Sequence, residues 1–341
     1  MTRNPWPETA LIIPRAATAT GKCDTEMIPF GQLAIRPRWR RCLFAIFSVV
    51  VFLIAARVLF REFHLLSWST VEPAVLRWRD RFALAVALCG LSFAAVGLIE
   101  WRALRWAGLR APIGEAFKVS FIANGFAHSI GASALVAGAV RARLYARHNI
   151  GLTLSAAITA FQTATSTSGV AALVGVACLL GYGGQLGPII GAVTLGGVAL
   201  YLAACGLARG TVQLWGHAFT LPRVAEATTQ VVLGAVDNAL AIGALWVLLP
   251  PRAVAFPSFL ADYAVAYVGG ALSGIPGGAG PFEGLLVKLL PTLDKPSLAA
   301  AFLGFRMIFN LVPLILAGVL FAVEVLRPTR RAPTAPLTTG L

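Results

Sequence analysis

Charge is scarce in this sequence, and negative charge scarcer still. Of 341 residues only 12% are Asp, Glu, Lys or Arg, and 14 acidic side chains stand against 28 basic ones. Soluble domains carry roughly a quarter charged residues, so an ordinary soluble domain is excluded. The five cysteines (Cys23, Cys42, Cys89, Cys178, Cys205) are scattered, most of them inside apolar runs. That spacing offers neither a disulfide framework nor a metal site. There is no P-loop, HExxH, CxxC or GxSxG, so ATPase, zinc-hydrolase, dithiol and serine-hydrolase chemistry have no motif to stand on. No catalytic residue, metal or cofactor is assigned, and no enzymatic activity is expected.

What is there is apolar: 58% of the residues, with a mean hydropathy of +0.79. A spanning helix needs about 20 apolar residues, and stretches of that length occupy most of Leu43 to Leu326. The expected class is an all-α polytopic membrane protein. Residues 1–40 and 327–341 read as disordered cytoplasmic tails rich in Pro, Thr and Arg, flanking one integral membrane domain at 41–326. The first 40 residues lack the pattern of a signal peptide, and Met27 is an alternative start. The net charge of +14 does not point to nucleic acid, because the basic residues cluster at the ends of apolar runs. That is the placement of the positive-inside rule.

Eight apolar segments can be drawn: 42–60, 82–99, 117–140, 152–180, 188–208, 229–249, 261–290 and 298–326. If all eight crossed, starting inside, the arginines of "RARLYAR" (Arg141, Arg143, Arg147) would fall outside, against the charge rule. If segments three and seven instead enter and leave on one side, the arginines of 36–41, 102–110, 141–147, 209/223 and 327–331 fall inside, and the mixed-charge loop Arg61–Arg81 falls outside. This predicts about six full crossings and two re-entrant hairpins, with both termini cytoplasmic. Each half, 41–182 and 188–326, then reads span, span, hairpin, span, from opposite sides. Such an inverted-topology repeat is common in transporters whose midplane site is built from broken helices.

The breaks carry the candidate site. In "SGIPGGAGPFEG" the residues Ser273, Pro276, Gly277 and Gly278 form a turn, and Pro281 suits the first turn of a new half-helix. Glu283 then falls near the third position. It either caps free N–H groups there or meets a cationic headgroup or a proton. In the first hairpin, "IANGFAHSIGAS", Asn124, His128 and Ser129 place polar groups in an apolar run. His128 reads as a hydrogen-bonded structural residue or as a proton carrier. Arg141 and Tyr145, four apart, share a helix face, and Arg143 points elsewhere. These arginines either snorkel to the surface or clamp a lipid phosphate. Asp237 and Arg306 lie deep in segments six and eight, where each is expected to face the protein interior with a partner, an economical choice being each other. Lys288 and Glu324, nearer segment ends, read as interfacial. Small residues in "SAAITAFQTATSTSG" and "GPIIGAVTLGG" read as close helix contacts.

These residues carry a family resemblance. "SFIANGFAHSIGASALVAGAVRARLYARHNIGL", "VDNALAIGALWVLLP", "GGALSGIPGGAGPFEGLLVKLLP" and "FLGFRMIFNLVPLILA" occur in the order found in the transmembrane part of lysyl-phosphatidylglycerol synthase/flippase (MprF-like) proteins. The chain is similar to that family over roughly residues 40 to 326, with the Pro-Gly-Gly stretch its most specific part. The resemblance implies a stand-alone member without the synthase domain, so lysyl transfer from tRNA is not expected. Some stand-alone members are associated with hopanoid metabolism. Departures at Ala137, Ala142, Pro281 and Asn310 keep headgroup selectivity from being transferred.

The expectation is a lipid translocase of the bacterial cytoplasmic (inner) membrane, moving a phospholipid, aminoacyl-phospholipid or hopanoid-type lipid. The alternative is an accessory subunit that presents lipid to a separate biosynthetic enzyme. The expected partners are membrane lipids, with a homo-oligomer or such an enzyme as further possibilities, and no nucleic acid.

Overall fold

The computed structural model describes residues 79–130, 133–148, 150–207, 211–214, 217–272 and 280–326; segment one lies outside them. Helices dominate: α1 (Arg79–Trp106), α2 (Ile113–Ile130), α3 (Ser133–Tyr145), α4 (Leu152–Leu179), α5 (Gly187–Leu207), α6 (Val224–Leu248), α7 (Phe256–Leu272), α8 (Pro281–Leu289), α9 (Lys295–Arg306) and α10 (Val312–Leu326). A π-helical turn, Met307–Leu311, joins α9 to α10. Between α5 and α6 lies a short antiparallel hairpin of β1 (Thr211–Leu214) and β2 (His217–Thr220), which apolar periodicity did not announce. The protein is an all-α polytopic membrane protein apart from this ribbon. Five helical stretches among the described residues are long and apolar enough to cross a membrane: Arg79–Trp106, Leu152–Leu179, Gly184–Leu207, Val224–Leu248 and Lys295–Leu326.

Segments three and seven are each a pair of helices rather than one span. At ~1.5 Å rise per residue, α3 and α8 are both too short to cross ~30 Å of hydrocarbon. The two ends of the first hairpin lie on one face of the bundle. Lys118, near the start of α2, and Arg147, just past α3, both reach Glu324 at the end of α10, at 2.7 and 2.9 Å. The second hairpin belongs to the other face. There Arg81, at the start of α1, donates to the Leu249 carbonyl at 2.7 Å. Phe259 of α7, Leu290 after α8 and Leu298 of α9 share one buried cluster with Leu248 and Leu249. A separate cluster, from Ile99 to Phe321, packs around the base of the first hairpin.

The order of elements in the two halves is matched by how they pack. α1 lies against α6, its counterpart in the other half. α2 of the first hairpin lies on α10, the last span of the second half, and α7 of the second hairpin lies on α4, the last span of the first half. Each hairpin thus also packs on the opposite half. The crossing of α4 and α6 is made by glycine: a Cβ added to Gly169 or Gly234 would overlap backbone of the other helix. In lipid no water-driven collapse holds helices together, so such backbone approach supplies the packing. The small-residue run read from the sequence does this work here, and Gly187 and Gly191 do the same for α5 on α4.

Candidate functional site

The first hairpin is anchored by a sealed polar cluster. Arg141 is 1% exposed and its partner Glu100 is 0% exposed. Arg141 Nε donates to both carboxylate oxygens of Glu100, at 2.9 and 3.2 Å, and its terminal nitrogen donates to Gln162 Oε1 at 2.7 Å. The Tyr145 hydroxyl and the Gln162 amide also donate to Glu100. Arg141 and Tyr145 do share a face, as their spacing requires, but that face looks inward. Their polar groups are spent on Glu100 and are not presented to lipid. Glu100 is the residue the sequence reading missed. In "LIEWRALRW" it looks like one more charge in a cytoplasmic flank, and only the fold brings it to Arg141. Arg143, two residues on, is half-buried on another side of α3.

At the second hairpin the chain restarts at Gly280, whose φ of +96° is cheap only for glycine. Pro281 opens α8, and Glu283 at the third position accepts the Gly280 N–H at 2.7 Å. The same carboxylate accepts Arg306 Nε at 2.7 Å and a second guanidinium nitrogen. Glu283 therefore caps its helix and pairs with a cation at once. Both side chains remain about a fifth exposed, 20% for Glu283 and 19% for Arg306. Ser273, Pro276, Gly277 and Gly278, the expected turn, lie outside the described residues.

The expected Asp237–Arg306 pair is not formed, and this corrects the sequence reading. Arg306 is taken by Glu283, which α8 sets opposite the end of α9. Asp237, on α6, faces α1 and accepts the Ser92 hydroxyl at 2.6 Å. Its neighbour Asn238 turns to α4, donating to the Ser166 carbonyl at 3.2 Å.

The tip of the first hairpin meets the π-turn. Asn310 donates its side-chain amide to the His128 carbonyl at 2.9 Å, and the Ser129 hydroxyl lies 3.2 Å from the Asn310 carbonyl. The His128 ring packs against Phe309 and Phe93, with centroids 5.0 and 6.0 Å apart. Asn124 bonds within its own helix, to the Ser120 carbonyl at 2.9 Å. Proline explains the π-turn. The Val312 N–H bonds the Met307 carbonyl in the π register, and Pro313, next in line, has no N–H to give the Ile308 carbonyl. The Ile308 carbonyl instead takes the Cys89 thiol at 3.5 Å. Pro313 in the middle of an apolar run was the available signal. The π-turn thus lies between both broken elements: Arg306, directly before it, holds Glu283, and Asn310 holds His128 and Ser129.

The fold and this site define a class: an integral membrane protein with two opposed broken helices converging on an irregular turn of the last span. Comparison with known proteins agrees with a membrane protein. The chain is 27% identical over 309 residues to slr0712, a Synechocystis sp. protein of uncharacterised function, with 84% of this chain and 93% of that protein covered. It is 28% identical over 302 residues to the Escherichia coli inner membrane protein YbhN, covering 82% and 92%. No protein-family model matches the chain.

Proposed function

We propose that the protein is a lipid translocase of the inner membrane, and that the π-turn with the facing residues His128, Ser129, Gly280 and Glu283 is the path of the headgroup. The observation that carries this reading is the Glu283–Arg306 pair. It lies at membrane depth, next to non-helical backbone, and keeps about a fifth of each side chain exposed. Irregular backbone at that depth is tolerated only where protein buries it or where it borders a polar path. Ionisable groups there mark such paths more often than they serve stability.

A phospholipid headgroup offers a phosphate and, in the zwitterionic and aminoacyl classes, an ammonium. Arg306 matches the first and Glu283 the second, so a headgroup can open the pair and exchange partners without leaving a bare charge. Asn310, His128 and Ser129 supply neutral polar contacts from the other hairpin. Asp237 lies across α6. Arg143, at the base of the first hairpin, is the cation that first meets a phosphate from the arginine-rich face, which we take as cytoplasmic by the charge rule. The name of the relative YbhN supports the inner membrane. The resemblance of the Pro-Gly-Gly stretch to lysyl-phosphatidylglycerol synthase/flippase proteins supports a lipid substrate.

The test is reconstitution of the full chain into vesicles carrying headgroup-labelled phospholipid, with a membrane-impermeant quencher reporting exposure. Wild-type protein is expected to accelerate exchange between leaflets, and Glu283→Gln and Arg306→Ala to abolish the acceleration. No acceleration by folded wild type would overturn the reading. Recovery of a lipid-biosynthetic enzyme with the chain would then favour the accessory role.

A further inference from the structure

The buried carboxylates of the membrane region are not treated alike. Glu100 is met by Arg141, Gln162 and Tyr145. Glu283, a fifth exposed, is met by Arg306, and Glu324, near the end of α10, by Lys118 and Arg147. Asp237 is 9% exposed, and the one partner found for it among the described residues is the Ser92 hydroxyl. It stands in the middle of α6 against α1, the two counterpart spans of the halves. A carboxylate desolvated to this degree without a cation is costly if ionised, and is kept where it has a task.

The surroundings narrow the task. α1 brings Ser92 and Cys89 to this level, and the thiol of Cys89 is turned to the Ile308 carbonyl. α4 has no Asp, Glu, Lys, Arg or His between Leu152 and Leu179, nor has α5 between Gly187 and Leu207. Tyr201 of α5 bonds Gln230, two turns away on α6. α7 carries Asp262, half-buried near its outer end. From α9, Arg306 is committed to Glu283. A bound metal cation needs about six oxygens, and one hydroxyl with one carboxylate does not supply them. Among the described residues no cluster of His, Cys, Asp or Glu could hold a metal either. A proton needs a single oxygen.

We propose that Asp237, with Ser92 as its hydrogen-bond partner, is the proton-coupling site of this transporter. The carboxylate takes a proton from one side when the α1–α6 contact opens toward it, and crosses the cycle as the neutral acid. It releases the proton to the other side, with Ser92 bonded to the carboxylate in the ionised state. What is coupled rests on the translocation reading; the proton site itself does not.

The test has two arms. Infrared difference spectra of the purified full chain between acid and alkaline pH should show a protonated-carboxyl band. That band should be lost in Asp237→Asn, shifted in midpoint in Ser92→Ala, and retained in Asp262→Asn. The band should be indifferent to exchange of sodium for potassium. Lack of an Asp237-dependent band, or a band that follows sodium, overturns the proton site. In vesicles, an imposed pH gradient should change wild-type lipid exchange several-fold, and Asp237→Asn should abolish that response. Exchange that ignores the gradient overturns the coupling while leaving lipid translocation standing. No lipid exchange at all, with the band present, overturns the translocation reading and upholds proton binding at Asp237.

Discussion

Among the Glu–Arg pairs of the described residues, Glu100–Arg141 and Glu283–Arg306 are built to opposite specifications, while Glu324–Arg147 closes the base of the first hairpin. Glu100–Arg141 is closed to solvent at 0% and 1% exposure and holds two further donors, so its carboxylate is fully saturated. Glu283–Arg306 is about a fifth exposed, leans on one N–H of a glycine restart, and adjoins a π-turn. The same two residue types therefore make a sealed anchor in one place and, in the other, a partly exposed pair that we propose is exchangeable. The difference comes from the backbone around them. α1, α3 and α4 close over the first pair, whereas the second sits between the restart at Gly280 and the π-turn and stays within reach.

The largest effect is expected at the anchor. Arg141→Ala leaves Glu100 buried without a cation, a loss of roughly 3–5 kcal/mol, which should appear as a large fall in thermal stability and yield in detergent. The double variant Glu100→Gln with Arg141→Met keeps the Tyr145 and Gln162 contacts without the charges, and should recover most of that loss. If Arg141→Ala were as stable as wild type, the anchor reading would fail.

Next in size is the crossing that lies between the two regions and uses no charge. Gly234→Ala would push α6 off Thr165 and Gly169 of α4, costing about 1–3 kcal/mol as overpacking does elsewhere. Because no titratable group is involved, the loss should be the same at every pH. A pH-dependent loss would mean that the crossing also feeds the charged regions.

At the exchangeable pair the pattern reverses. Glu283→Gln keeps a side chain able to accept the Gly280 N–H and loses only charge, so stability should fall by about 1 kcal/mol or less. Lipid exchange should nevertheless stop. Exchange that survives while stability collapses would make this pair a second anchor and erase the contrast.

Much of this contrast was legible in advance, but unevenly. Arginine placement foretold two hairpins, and the described pairs α2/α3 and α7/α8 lie where it put them, with the ends of each on one face. Glu283 as a cap was also readable, because Gly-Pro followed by Glu two residues later is a local signal. Partner choice was not readable. Glu100 and Arg141 are 41 residues apart, and Asp237 and Ser92 145 apart, and no local rule ranks Arg306 as a partner for Glu283 over Asp237. The π-turn fell between these cases. Pro313 announces it locally, but what fills the freed Ile308 carbonyl, the Cys89 thiol, arrives from another helix.

The smallest effect is expected at Asp294, which caps α9 outside both regions and tests whether the end of the last span is held independently of them. Its carboxylate accepts the Ser297 N–H at 2.9 Å, and bonds from Ser297 hold its pKa below the ordinary carboxylate value. A depressed folded-state pKa adds stability that is present above the unfolded value, and that contribution fades as pH falls through the lowered one. Asp294→Ala should therefore be slightly less stable than wild type near neutrality and indistinguishable from it in acid, below the lowered value. Thermal unfolding of both proteins at the two pH values reads this directly. A deficit that persists in acid would assign the effect to packing rather than to the ionised cap. A change in lipid exchange near neutrality would tie this helix end to the Glu283–Arg306 pair twelve residues along α9.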